Sequence, residues 1–211
     1  AHGALVQTFK KIGIDAYGLP PANEEVLKIG RGNSTCKECL PLQTTVGSML
    51  NYFWRDRPKG EVTAYFMPGA AGPCRFGQYN VFSRRLIERH EIPDAAVLTL
   101  NAANGYMGLG DKFTLPAWRS ILIGDVMYEI WSTVLAAAKD REAGLKIFCE
   151  EWDKLVGVVD KSWRVIKRQI RSSAERLSGI ELKAPYHQIP KISLIGEIYV
   201  RNDPISLQNL V

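Results

Sequence analysis

The sequence has few of the features that mark disulfide-linked or membrane-spanning proteins. Only four cysteines occur in 211 residues, which argues against a disulfide scaffold. We find no uninterrupted run of about 18 apolar residues and no signal-peptide pattern at the start of the chain. These absences predict a soluble, cytoplasmic protein that makes no contact with a membrane.

Motifs for hydrolysis and nucleotide binding are also absent. The chain has three histidines, His2, His90 and His187. None of them has a nucleophile or carboxylate at a spacing typical of a hydrolase, so a catalytic triad has little support. No Gly-x-x-x-x-Gly-Lys-Ser/Thr phosphate loop occurs. The sequence therefore contains no ATP site of its own.

Composition and charge are those of an ordinary folded protein. Hydrophobic residues make up 46% of the chain and charged residues 23%, which argues against disorder. The formal net charge is +5 at pH 7. This mild excess is compatible with an anionic small ligand or an acidic protein partner. Nucleic acid is not expected, since no recognisable nucleic-acid-binding fold accompanies the charge.

Strand and helix patterns alternate along the chain. Helical patterns include one in which Asn23 caps the first turn and Gly30 ends the helix. A longer helical segment spans about 116–177, with a break near 140–144. The predicted strands are 14–20, 61–67, 95–100 and 191–200. This alternation predicts one α/β domain over 1–211, with an open, mostly parallel sheet covered by helices on both faces.

Both ends of the sequence have the patterns of interrupted secondary-structure elements. The first residues, "AHGALVQTFKKIG", start with a helical pattern, and the last, "RNDPISLQNLV", read as a loop that runs into a truncated helix. We therefore expect the chain to be a fragment of a longer, multidomain protein.

Cysteines stand beside proline at two predicted helix starts, in "STCKECLPLQ" and "PGAAGPCRFGQY". Cys39 comes two residues before Pro41, which suits a first helical position. Cys74 follows a strand and a glycine-rich turn. A helix N-terminus favours negative charge and therefore the thiolate, the form that binds metal or attacks as a nucleophile.

The turn around Cys74 has the composition of a binding loop. Glycines at 69, 72 and 77 let the backbone turn tightly, and Arg75 adds a positive charge. Ligands of open α/β sheets lie where strands run into helix N-termini, and backbone N–H groups there can cradle a phosphate. Gly72, Arg75 and Gly77 are therefore candidate cofactor-binding residues.

The residues alone leave several roles for the cysteines open. Cys36 and Cys39 have the Cys-x-x-Cys spacing of a redox pair, but a long loop precedes them. A zinc site needs further ligands at clear spacing, whereas an iron–sulfur cluster accepts thiolates from separate loops. All four cysteines can also be packing groups. Cys149, among apolar neighbours in "KIFCEEW", is predicted to be one.

Five stretches of the sequence resemble the 2-hydroxyglutaryl-CoA dehydratase family, and most of all its activase-related branch. They are "ECLPLQTTVGSML", "FMPGAAGPCRFGQYN", "NGYMGLG", "AWRSILIGDVMYEI" and "GEIYVRNDP", and the resemblance covers roughly 1–205. It implies a flavodoxin-like fold and a [4Fe–4S] or related cluster, with Cys39 and Cys74 as ligands and Cys36 as an auxiliary one.

The resemblance also implies a role and partners. Activators in this family use ATP to pass single electrons at very low potential, and dehydratases use the electron to remove water from a 2-hydroxyacyl-CoA. The expected function is low-potential electron transfer in such an enzyme or its activator. The expected partners are the rest of the chain or a homologous subunit, an activator ATPase that supplies the ATP site, and an acyl-CoA substrate.

A basic helix offers an alternative function. Residues 160–177 combine an apolar stripe and a basic stripe at helical spacing. The apolar stripe is Trp163, Ile166, Ile170, Ala174 and Leu177, and the basic stripe is Lys161, Arg164, Arg168 and Arg171. The basic stripe is either a solvated face or a docking surface for an acidic partner or CoA phosphates. The alternatives to electron transfer are thus a non-catalytic partner-binding module and a zinc-stabilised domain.

Overall fold

The structure is a computed structural model that describes residues 2–35 and 37–207, with all their side chains except those at 2, 102 and 107. The chain divides into two compact units. Unit 1 comprises Ala1–Gly18 and Leu109–Ile192, and unit 2 comprises Leu19–Gly108 and Ser193–Val211. The prediction of one domain over the whole chain stays a prediction.

Unit 1 is built from helices. Its members are α1 (His2–Lys11), α5 (Asp111–Ala137), α6 (Arg141–Val156), α7 (Trp163–Ser178) and a 3-10 turn at Tyr186–Gln188. Asp140 caps α6 by accepting a hydrogen bond from the backbone N–H of Ala143 at 2.9 Å. Phe9 of α1 packs on Phe113 of α5 with 4.8 Å between ring centroids. The helical prediction for 116–177 is confirmed, with breaks at the two inter-helix links.

Unit 2 mixes helices and strands. Its helices are α2 (Glu24–Gly32), α3 (Leu40–Asn51), a π-helical turn at Tyr52–Asp56, and α4 (Tyr79–Arg89). Its strands are β1 (Thr63–Phe66) and β2 (Ala95–Leu98), and its 3-10 segments are Arg75–Gln78, Ala102–Gly108 and Val200–Asn202. The strands pair in parallel, with Thr63 opposite Ala95 and Phe66 opposite Leu98. The mixed α/β class is confirmed.

Two predicted strands are wrong. Residues 14–20 are irregular, and residues 191–200 are irregular until the 3-10 turn at Val200–Asn202. Ile192 and Ile195 are 95% and 88% exposed. Alternating apolar residues form a strand only when a neighbouring strand accepts their backbone hydrogen bonds, and neither segment pairs with a strand of the described chain.

One helix is both long and apolar. α5 is 27 residues long, and its most apolar window has a mean hydropathy of 1.3, so by length and composition alone it could cross a membrane. The helix is not an uninterrupted apolar run, because Asp125 and Glu129 interrupt it. Core helices of soluble proteins pass the same test, and the helix gives no positive indication of a membrane span.

Two glycines allow α2 and α3 to touch backbone to backbone. A Cβ atom on Gly30 would lie 1.8 Å from the carbonyl oxygen of Gln43, and one on Gly47 would lie 2.1 Å from that of Val26. Any side chain at either position would force the helices apart. This close crossing fixes the position of α3, whose N-terminus carries Cys39.

Candidate functional site

Cys39 lies at the N-terminus of α3 in unit 2. It is the capping residue, has extended backbone geometry and makes no capping hydrogen bond with its side chain. The thiol is half-buried and packs against the core formed by Val46, Met49 and Leu50 and their neighbours. Pro41 occupies the first turn as predicted, at the second helical residue. The sulfur is thus free to contact a ligand or another side chain.

Cys74 lies at a second helix start in the same unit. It caps the 3-10 segment Arg75–Gln78, which runs directly into α4. Its side chain is exposed and makes no capping hydrogen bond. The sequence therefore placed both thiols correctly at the beginning of helical segments.

Tyr79 connects the two cysteine loops. Its hydroxyl lies 2.7 Å from Sγ of Cys39, although the two residues are 40 positions apart in the sequence. Burial, the hydrogen bond with Cys39 and the nearby charges of Cys39, Cys74 and Glu197 raise the pKa of Tyr79 far above its usual value. The phenol therefore keeps its proton and is able to donate a hydrogen bond to the sulfur of Cys39.

Arg75 makes a second connection between the loops. Its Nη1 donates a hydrogen bond to the carbonyl oxygen of Lys37 at 3.1 Å. The guanidinium thus places a positive charge between the loop that precedes Cys39 and the loop that carries Cys74.

Glu38 shapes the loop that precedes Cys39. Its carboxylate accepts hydrogen bonds from the backbone N–H and hydroxyl of Thr35, both at 2.9 Å, and from the N–H of Lys37 at 3.2 Å. Slight burial opposes ionisation, but hydrogen bonds from its own backbone, from Thr35 and from Lys37 outweigh it and lower the pKa of Glu38. Cys36, the predicted auxiliary ligand, lies outside the described residues.

The glycines of the second loop have structural reasons to be glycine. Gly72 has a φ of +117°, a left-handed conformation that disfavours other residues. A Cβ on Gly77 would lie 2.5 Å from the carbonyl oxygen of Ala70. These contacts fold the loop tightly and bring Cys74 back to the start of α4. The predicted role of Gly72, Arg75 and Gly77 in holding a cofactor stays a prediction.

The described residues do not by themselves form a metal site. Among them, no group of three or more His, Cys, Asp or Glu side chains is arranged to hold a metal ion. Cys39 and Cys74 have suitable ligand atoms, because both are unbridged thiols and each stands at the N-terminus of a helical segment. A structural zinc or a cubane cluster takes four protein ligands. A zinc ion or cluster held by Cys39 and Cys74 would therefore need further ligands, from Cys36 or from outside the described residues.

Cys149 is not the packing residue that the sequence predicts. Its side chain is exposed on α6, while Phe148 and Leu155 of the same helix are buried and face the core of unit 1. Apolar neighbours in the sequence do not predict burial of Cys149, because a helix turns about 100° per residue and adjacent residues point in different directions. Cys149 is a useful control for experiments on the other thiols.

Sequence reasoning assigned no role to Tyr79, although it belongs to the quoted "GPCRFGQY" motif. The signal was its place at the start of the helix that follows Cys74. No protein-family model, curated protein or solved structure matches this chain. The family resemblance therefore stays a prediction, as does the flavodoxin-like fold.

Proposed function

We propose that unit 2 binds an iron–sulfur cluster through Cys39 and Cys74 and serves low-potential electron transfer in a 2-hydroxyacyl-CoA dehydratase or activase system. The observation that supports this most is the pair of helix-capping thiols that both lie near one buried tyrosine. Iron–sulfur clusters are held by thiolates gathered from separate loops, and Cys39 and Cys74 stand on separate loops of unit 2.

Each residue of the site has a role in the proposal. Cys39 and Cys74 hold the iron, with Cys36 as the third candidate ligand, and the bound cluster supplies one-electron chemistry. Tyr79 donates a hydrogen bond to the sulfur of Cys39, and Arg75 offsets negative charge between the loops. Hydrogen bonds and positive charge near the sulfurs raise a reduction potential. These two side chains thus tune the site.

The proposal assigns the remaining parts of the system to partners. An activator ATPase binds and hydrolyses the ATP that drives electron transfer. The acyl-CoA substrate is bound with the help of the rest of the chain or of a homologous subunit. The cluster is a [4Fe–4S] cluster or a related one. The chain described here contributes the thiolates.

Iron and acid-labile sulfide analysis tests the proposal directly. The chain is purified without oxygen, reconstituted with iron and sulfide, desalted and assayed for both elements and for visible absorption. We expect the unmodified chain and Cys149→Ala to retain iron and sulfide in equal amounts. Cys39→Ala and Cys74→Ala should each lose most of both, since each removes one ligand.

Two results would contradict the assignment. Full retention of iron and sulfide in both Cys39→Ala and Cys74→Ala would show that the cluster is bound elsewhere. Stoichiometric zinc without sulfide would identify a zinc-stabilised domain instead. Circular dichroism of each variant separates loss of a ligand from loss of the fold.

A further inference from the structure

An apolar groove runs between α5 and α7 in unit 1. Its volume is about 310 Å³, which is within the range of small-molecule sites. Leu155 of α6 and Ile166 of α7 contribute to the lining and are almost fully buried. Leu122 and Val126 of α5 and Trp163 of α7 also line the groove and are more than half exposed. The groove is therefore a slot with a buried floor and one open side.

The groove is long and narrow. Its lining runs from Arg119 to Ile130 on α5 and from Trp163 to Leu177 on α7, which at the helical rise is a length of about 16–21 Å. A volume of about 310 Å³ over this length corresponds to a mean width of about 4–5 Å. A helix with its side chains is about 10–12 Å across. The slot therefore suits a single extended hydrocarbon chain better than a second helix.

The helices α5 and α7 run in the same direction along the groove. A Cβ atom on Gly144, in the first turn of α6, would lie 3.0 Å from the side chain of Val134 and 3.3 Å from that of Ile180. The last turn of α5 and the residues that follow α7 therefore meet at one end of the groove. The first lining residues of the two helices, Arg119 and Trp163, lie at the opposite end.

Arg119 gives this end of the groove a positive charge. Among the described residues that line the groove, it alone is charged. Its half-buried Nη1 donates to the carbonyl oxygens of Val159 at 3.4 Å and Lys161 at 3.3 Å, and no described carboxylate lies within ion-pair distance. Ser173, the other polar lining residue, donates its hydroxyl to Glu151 at 2.8 Å. Nη2 and Nε of Arg119 are therefore the groups that can bind a polar ligand.

The surroundings of Arg119 favour a negatively charged ligand. The nearby carboxylate of Asp160 is paired with Lys11 at 3.6 Å and with Lys161 at 3.4 Å, so it does not neutralise the guanidinium. The helix α7 also begins here, and Ser162 makes no capping hydrogen bond with its side chain. An uncapped helix N-terminus stabilises negative charge. The groove thus joins an apolar slot to one cationic end.

We propose that the groove binds a single-chain amphiphile with an anionic head, such as a fatty acid. The hydrocarbon chain lies along the apolar lining, and the carboxylate accepts hydrogen bonds from Arg119. Removal of apolar surface from water drives binding, and charge-assisted hydrogen bonds from the guanidinium fix the orientation of the ligand. This inference is independent of the thiol site in unit 2.

Isothermal titration calorimetry of the full chain with dodecanoate, below its micelle concentration, tests the proposal. We expect one saturable site per chain. Octanoate should bind more weakly, by about fourfold for each methylene removed. Dodecanol and dodecylamine have the same chain without an anionic head, and each should bind about tenfold or more weakly than dodecanoate.

Two matched pairs of variants locate the site. Arg119→Gln should weaken dodecanoate binding by about tenfold or more and leave dodecanol binding unchanged. Arg168→Gln, at an exposed arginine of α7 outside the lining, should change neither. Ala174→Trp places a bulky ring in the groove and should weaken both probes by about tenfold or more. Ser172→Trp, at an exposed position of α7 outside the lining, should not.

Three results would overturn the inference. The first is the absence of saturable dodecanoate binding. The second is equal affinity for dodecanoate and dodecanol, which would remove the role of the charge. The third is dodecanoate binding that Ala174→Trp leaves unchanged, which would place the ligand elsewhere. Circular dichroism separates loss of the Arg119 contact from loss of the fold, and the comparison of probes uses the unmodified chain and so does not depend on any variant.

Discussion

Gly30→Ala should destabilise unit 2 by separating α2 from α3. The added Cβ would lie 1.8 Å from the carbonyl oxygen of Gln43, whereas non-bonded heavy atoms approach to about 3.5 Å. The backbones must therefore move apart by about 1.7 Å, and a carbonyl oxygen cannot rotate away as a side chain can.

The net magnitude follows from two opposing effects. Overpacking costs about 1–3 kcal/mol, and the rigid contact at Gly30 puts this case near the upper end. Alanine is favoured over glycine inside a helix by about 1 kcal/mol. We therefore expect a loss of about 2 kcal/mol in the free energy of unfolding of unit 2.

Urea unfolding followed by circular dichroism measures this loss, and hydrogen exchange of residues 24–51 assigns it to the two helices. Gly32→Ala is the matched control, because a Cβ there meets nothing within 4 Å and Gly32 belongs to the same helix. It should be neutral or stabilising by up to about 1 kcal/mol. Equal unfolding midpoints for the two variants would refute the reasoning, since the close crossing would then have no energetic consequence.

Three further predictions concern hydrogen bonds. The Lys154 ammonium and other donors outweigh burial and lower the pKa of Glu151 below its ordinary value of 4.5. The ionised Glu151 carboxylate therefore stabilises the fold fully above pH 4.5, and this stabilisation is lost as the pH falls through the lowered pKa. Glu151→Gln should flatten the dependence of urea unfolding on pH in this window, and an unchanged slope would contradict the assignment. Tyr199→Phe removes the 2.6 Å hydrogen bond with Thr44 and should speed limited proteolysis within 193–207, while equal rates would show that this bond does not hold the segment. Tyr79→Phe should cost about 0.5–1.5 kcal/mol of unfolding free energy and shift the cluster potential to a more negative value, and an unchanged potential would exclude the phenol as a donor to the sulfur.

Local signals in the sequence predicted the helices well, because a helix satisfies its hydrogen bonds within a few residues. Asn23 caps α2 as predicted, with its side chain accepting from the N–H of Val26 at 2.9 Å. The strands predicted at 61–67 and 95–100 are present in the structure at 63–66 and 95–98. The segments 14–20 and 191–200 were not strands, because a strand depends on a partner that the local sequence does not specify.

The sequence by itself determined that Cys39 and Cys74 begin helical segments, since proline and glycine at fixed offsets act on the nearest backbone. Only the tertiary structure brought Tyr79 within 2.7 Å of a sulfur 40 residues away, and only it exposed Cys149. The same holds for the apolar groove between α5 and α7, two helices that α6 separates in the chain. Hydrogen bonds within a helix join near neighbours, whereas these contacts depend on how separate helices pack.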